Sequence, residues 1–250
     1  MPDLLSTALA LPGLWWLVAA IAAAGLVRGF TGFGSALIIM PMASSVLDPF
    51  AALAFLTVVE FWGPLPNLRA AWRAGAPREA GLLLAGAALG LPLGLWGLSL
   101  LDPRIFGWSV SVIVLILLVL VMSGWRYTGT LRPAGVAGVG SLGGFLGGIA
   151  GVPGPPVIMF YMASAQPIAV IRANFLLYLL GFDVLMVGFF VSFGLLDALA
   201  VTVGLICVPL YMCANVLGAW LFDPRAVRLF RAVAYIVIAA AAIAGLPVWS

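Results

Sequence analysis

The sequence predicts an all-α integral membrane protein made of two inverted repeats, each a broken or re-entrant helical hairpin followed by three transmembrane helices. Three observations predict it. The 250 residues are 65% hydrophobic and 8% charged, with a mean hydropathy of +1.25, whereas soluble domains carry about 25% charged residues. Several apolar runs reach the roughly 20 residues that cross a ~30 Å hydrocarbon core, and they lack the apolar/polar alternation of outer-membrane strands. Finally, the chain repeats itself: Gly34-Ser-Ala-Leu-Ile-Ile-Met-Pro-Met-Ala-Ser44 aligns without a gap on Gly154-Pro-Pro-Val-Ile-Met-Phe-Tyr-Met-Ala-Ser164, and Leu101-Asp-Pro-Arg104 on Phe222-Asp-Pro-Arg225 at nearly the same offset. A duplicated membrane chain is a common transporter plan.

The repeats divide the chain into residues 1–125 and 126–250. In the first, a Gly-interrupted stretch over about 14–46 precedes uninterrupted spans at about 48–66, 80–100 and 104–123. In the second, the interrupted stretch covers about 134–165 and the spans about 168–193, 197–221 and 227–247. The opening residues lack a positive n-region and carry Asp3, so they read as lead-in and first helix and not as a cleaved signal.

Arginine placement selects the hairpin. A limb from Gly154 to residue 165 would be about 18 Å long, too short to cross the bilayer. If each interrupted stretch crossed once, Arg69, Arg73, Arg78, Arg126 and Arg132 would face Arg104, Arg172, Arg225, Arg228 and Arg231 across the membrane, five against five. If each turns back, only Arg104 stays outside and nine lie inside, as the positive-inside rule requires. A hairpin plus three crossings is an odd unit, so the halves are expected to have opposite orientation, with both termini outside.

The first break reads Arg28-Gly-Phe-Thr-Gly-Phe-Gly-Ser35 and the second Gly143-Gly-Phe-Leu-Gly-Gly-Ile-Ala-Gly-Val-Pro-Gly-Pro-Pro156. Non-helical backbone at membrane depth must be enclosed by protein or line a wet cavity. New half-helices are expected to begin near Ser35, a cap or first-turn donor, and near Pro155, where a missing N–H costs nothing. Two such N-termini meeting near the midplane would form a site for a small anion. Arg28 beside the first break either faces that anion or supports the hairpin tip through carbonyl contacts. Arg172 and Asn174 open the span after the second hairpin, and Arg172 belongs either to the substrate path or to a topology anchor. Glu60 and Asp183 lie inside spans, where a carboxylate is costly; they are candidates for proton coupling, or for a structural hydrogen bond or arginine pairing. Scattered glycines such as Gly86, Gly90 and Gly94 read as close-packing positions. Trp15, Trp16, Trp108, Trp125 and Trp220 read as interface anchors.

Other function classes find little support. The basic residues are all Arg, spread over short loops, which disfavours nucleic-acid binding. No His is present, Cys207 and Cys213 face different sides of one helix, and no nucleophile–base pairing is recognisable, so neither a cofactor, a metal nor an enzyme activity is expected. The expected partners are a small anionic substrate and membrane lipid, with a homo-oligomer open; the alternative function is a passive anion channel or a non-catalytic membrane subunit.

At its two breaks the sequence resembles the TauE/SafE family of sulfite exporters, also called the toluene sulfonate uptake permease family: GFTGFGSALIIMP is the first signature and GGFLGGIAGVPGPPVIMFY the second. The resemblance implies secondary transport of sulfite, sulfoacetate or another small organosulfur or organic anion across a bacterial inner membrane. Carried onto this chain, the signatures point to Arg28 through Ser35, including Gly29, Thr31, Gly32 and Gly34, and to Gly148 through Pro156, including Gly151, Gly154 and Pro155, with Tyr161 following. Many relatives carry a GIGGG-like run where this chain has GFTGFG, so the resemblance does not extend to an identical substrate.

Overall fold

The computed structural model describes residues 2–124, 132–162 and 166–248, and these form helices and turns without a strand. After a short α1 (Pro2–Leu9), the first interrupted stretch is α2 (Leu14–Thr31) and α3 (Ser35–Ser44). Next come α4 (Pro49–Glu60), α5 (Leu68–Ala74), α6 (Pro77–Ser99) and α7 (Pro103–Met122). The second half runs α8 (Pro133–Ala150), α9 (Gly154–Met162), α10 (Ile168–Ser192), α11 (Ala198–Leu221) and α12 (Val227–Ala244). Among the described residues seven helices, α2, α6, α7, α8, α10, α11 and α12, are long and apolar enough to cross a membrane, and α4 with the segment through α5 passes the same test as a pair bent by 42° at the break between them.

The chain turns back at the first break. Gly13, just before α2, lies against Val46, just after α3: a Cβ on Gly13 would stand 2.9 Å from Val46 Cγ2. The stretch therefore leaves close to where it enters, with α3 packed along α2.

One expected span differs. Residues 48–66 were expected as one uninterrupted helix, but α4 ends at Glu60 and α5 resumes at Leu68. Proline chemistry explains it: Pro64 has no N–H for the Glu60 carbonyl, which accepts instead from Gly63 N at 3.0 Å, and Pro66 repeats the interruption. Its counterpart in the second half, α10, has no internal proline and runs unbroken for 25 residues.

The halves interlock through glycine. First-half α6 packs along second-half α8, and second-half α11 along first-half α2. At the α6–α8 seam, Gly86, Gly90 and Gly94 face the backbone of Ala137, Ser141 and Phe145, while Gly140, Gly144 and Gly148 face Leu83, Ala87 and Leu91. A Cβ on Gly148 would stand 2.7 Å from the Leu91 carbonyl. On the α2–α11 seam Gly25 and Gly29 meet Tyr211 and Asn215, and Gly218 meets Leu26. Without a hydrophobic driving force between helices in lipid, such backbone approach supplies much of the packing energy.

The outer surface is apolar as well. Trp15, Trp16, Trp108 and Trp220 are exposed, along with Leu89, Trp96 and Val216; Trp125 lies outside the described residues. In no long span is more than 44% of the apolar window buried within the protein, an arrangement suited to a lipid surround. Cys207 is buried and Cys213 exposed, both as free thiols.

Candidate functional site

Two left-handed glycines make the first break. Gly32 (φ 80°) closes α2 with its N–H on the Arg28 carbonyl, and Gly34 (φ 92°) caps the start of α3. An L side chain at either position would be strained. Thr31 stiffens the tip, its hydroxyl donating to the Val27 carbonyl at 2.6 Å and accepting from Phe33 N at 3.3 Å. At the second break Gly151 (φ 70°) ends α8, and α9 starts at Gly154 after Val152 and Pro153.

The two breaks meet. One cavity is lined by Arg28, Phe33, Gly34 and Ser35 from the first, by Pro153, Gly154 and Pro155 from the second, and by Glu60, Phe175 and Leu179 from α4 and α10. The N-termini of α3 and α9 thus border one space. Their donors differ: Ser35 and Ala36 keep their amides, whereas Pro155 and Pro156 have none to offer. In this conformation the cavity is partly open and has a volume of about 30 Å³, room for about two water molecules at the ~10–15 Å³ that one requires.

A buried polar triad sits at the α3 end. Arg28 Nη1 donates to Ser35 Oγ at 3.2 Å and lies 3.5 Å from Glu60 Oε1, and the Ser35 hydroxyl donates to the same Glu60 carboxylate. The Arg28 and Glu60 side chains are each 9% exposed. Arg28 also rests on the α4–α5 break, where a Cβ on Gly63 would stand 3.5 Å from its guanidinium. Tyr211 of α11, fully buried, holds its hydroxyl beside Arg28 and Ser35 without closing a hydrogen bond of normal geometry. Asp183 of α10 is buried within electrostatic range of Glu60 and Arg28. Three breaks, one arginine and two carboxylates thereby converge.

The remaining candidates lie elsewhere. Gly29 is pressed against the Asn215 backbone, and Gly151 against Met40 and Leu53 behind the cavity. Gly32 faces open space. Arg172 is exposed. Tyr161 and Asn174, both fully buried, belong to a second polar group at the base of the second hairpin: Asn174 Oδ1 accepts from Ala76 N at 2.6 Å, and Gln166 Nε2 donates to Glu79 Oε2 at 3.0 Å, with Tyr161 interacting with Glu79 and Asn174.

Sequence reasoning did not single out the apolar wall of Phe175 and Leu179, nor Tyr211, nor the α4–α5 break. Signals existed for two of them. Phe175, Leu179 and Asp183 recur at i, i+4 and i+8, one face of a helix, and Gly63-Pro-Leu-Pro66 follows Glu60 directly.

A family model described as sulfite exporter TauE/SafE matches residues 17–245. Neither a curated protein nor a solved structure matches the chain.

Proposed function

Because the chain belongs to the TauE/SafE sulfite exporter family, a family of membrane transporters, we propose that it is a secondary transporter of a small anion, with the site between its two helix breaks. The substrate is sulfite, sulfoacetate or a related organosulfur or organic anion. It crosses the bacterial inner membrane by alternating access between two inversely oriented halves, with both termini on the outer side. The observation that carries this reading is that breaks from both halves border one cavity beside the buried Arg28. Half-helix N-termini favour negative charge, and a guanidinium matches the oxygens of a sulfonate or sulfite.

The halves contribute unequally. At the 120-residue offset of the repeat, Arg28, Ser35 and Glu60 correspond to Gly148, Pro155 and Leu180. The polar recognition set belongs to the first half, and the second supplies an apolar wall and Asp183. Such a wall fits the organic end of a sulfonate, and the small volume of the cavity means that the hairpin tips separate to admit it.

Purified protein in proteoliposomes tests this reading. Influx of labelled sulfite and sulfoacetate is expected to saturate with concentration and to show counterflow. Flux that stays ohmic and never saturates would point to a passive channel, and no flux of any small anion would remove the transporter reading.

A further inference from the structure

The anion position is already claimed. The Ser35 hydroxyl and the Arg28 guanidinium, the two side chains best placed to hold a substrate oxygen, both engage the carboxylate of Glu60. The guanidinium of Arg28 lies 3.5 Å from Glu60 Oε1. A monovalent anion bound at that guanidinium beside an ionised Glu60 would set two negative charges against one positive, which is costly away from water.

We infer that Glu60 is a tethered competitor for the substrate: an anion takes its place at Ser35 and Arg28 only when Glu60 accepts a proton from the side to which the cavity opens, so each monovalent anion is carried with one proton. The inference rests on the anion-site reading above and extends it to the coupling ion. Arg28 of α2 and Ser35 of α3 contact Glu60, and Asp183 of α10 and Tyr211 of α11 lie within electrostatic range of it. Of these only Arg28 is a cation, so an anion that takes the guanidinium leaves the Glu60 carboxylate without its counter-charge. Protonated Glu60 keeps one acceptor for Ser35 or turns away, and the guanidinium is free for the substrate. The pseudo-equivalent position in the second half is Leu180, so this switch exists once per chain.

The test uses full-length protein in detergent with methanesulfonate and sulfoacetate, whose sulfonate charge does not titrate. Wild type is expected to take up about one proton per methanesulfonate, read by calorimetry in buffers of different ionisation enthalpy. Its affinity should fall about tenfold per pH unit as pH rises, the linkage slope for one proton. Glu60→Gln is expected to bind with no proton uptake and no pH slope, and to gain more thermal stability from the anion than wild type, which a purely structural Glu60 would not produce. Wild-type binding without proton uptake overturns the inference alone, as does a Glu60→Gln variant that keeps the slope. Failure of both anions to bind overturns it together with the anion site. Should Glu60→Gln not fold, the wild-type proton count decides by itself.

Discussion

Arg28 is the residue on which most of the site depends. It is buried, paired with Glu60 and bonded to Ser35. Removing one member of a buried pair leaves an uncompensated charge, a loss of about 3–5 kcal/mol, whereas replacing both with apolar groups is often neutral. Arg28→Met is therefore expected to lower thermal stability strongly. The double variant Arg28→Met/Glu60→Met should recover most of the loss, and both should be silent in flux assays; a double variant that still transports would remove Arg28 from recognition. Asn174 and Arg172 give the opposite expectation. Arg172 is exposed, and Asn174 is occupied by Ala76 N, so Arg172→Gln should leave the KM for anion unchanged. Asn174→Ala should cost about 1–3 kcal/mol of stability for the orphaned amide, again with KM unchanged. A raised KM in either would put that residue on the substrate path. Which carboxylate an intramembrane arginine pairs with was not legible in the sequence, because Arg28 and Glu60 are brought together by the packing of three separate helices and by no fixed spacing.

Among the elements, the two hairpin tips were the most legible. Glycines that must adopt positive φ and prolines that cannot continue a helix are local signals, and the half-helix starts lie at Ser35 and Gly154, where that punctuation put them. The α4–α5 break was missed although Gly63-Pro-Leu-Pro66 carries the same chemistry, because the motif falls where a span was expected to leave the membrane. The glycine seams were legible only as packing positions; that α6 seeks α8 and α11 seeks α2 depends on the tertiary arrangement. These seams lead to a prediction about substitution. A Cβ on Gly90 would meet the Ser141 backbone, whereas one on Gly81 of α6 or Gly138 of α8 meets nothing within 4 Å. Gly90→Ala is expected to cost about 1–3 kcal/mol or more, since backbone cannot yield as a side chain does, and Gly81→Ala and Gly138→Ala to be neutral in melting temperature.

On the scale of the whole molecule, the exchange of partners, α6 of one half on α8 of the other and α11 on α2, couples both breaks to both halves. The opposite orientation proposed for the halves from the arginine distribution predicts that single cysteines at residues 102 and 225, in a background lacking Cys207 and Cys213, react with impermeant reagent from opposite sides; same-side labelling would refute inversion. The central claim is that the two breaks together form the anion site. Its most direct measurement is saturable uptake of sulfite or a small sulfonate into proteoliposomes containing wild type, Ser35→Leu or Gly154→Leu, each checked for folded, monodisperse protein. Uptake is expected in wild type and lost in both variants, one from each half; undiminished uptake in both would contradict the account.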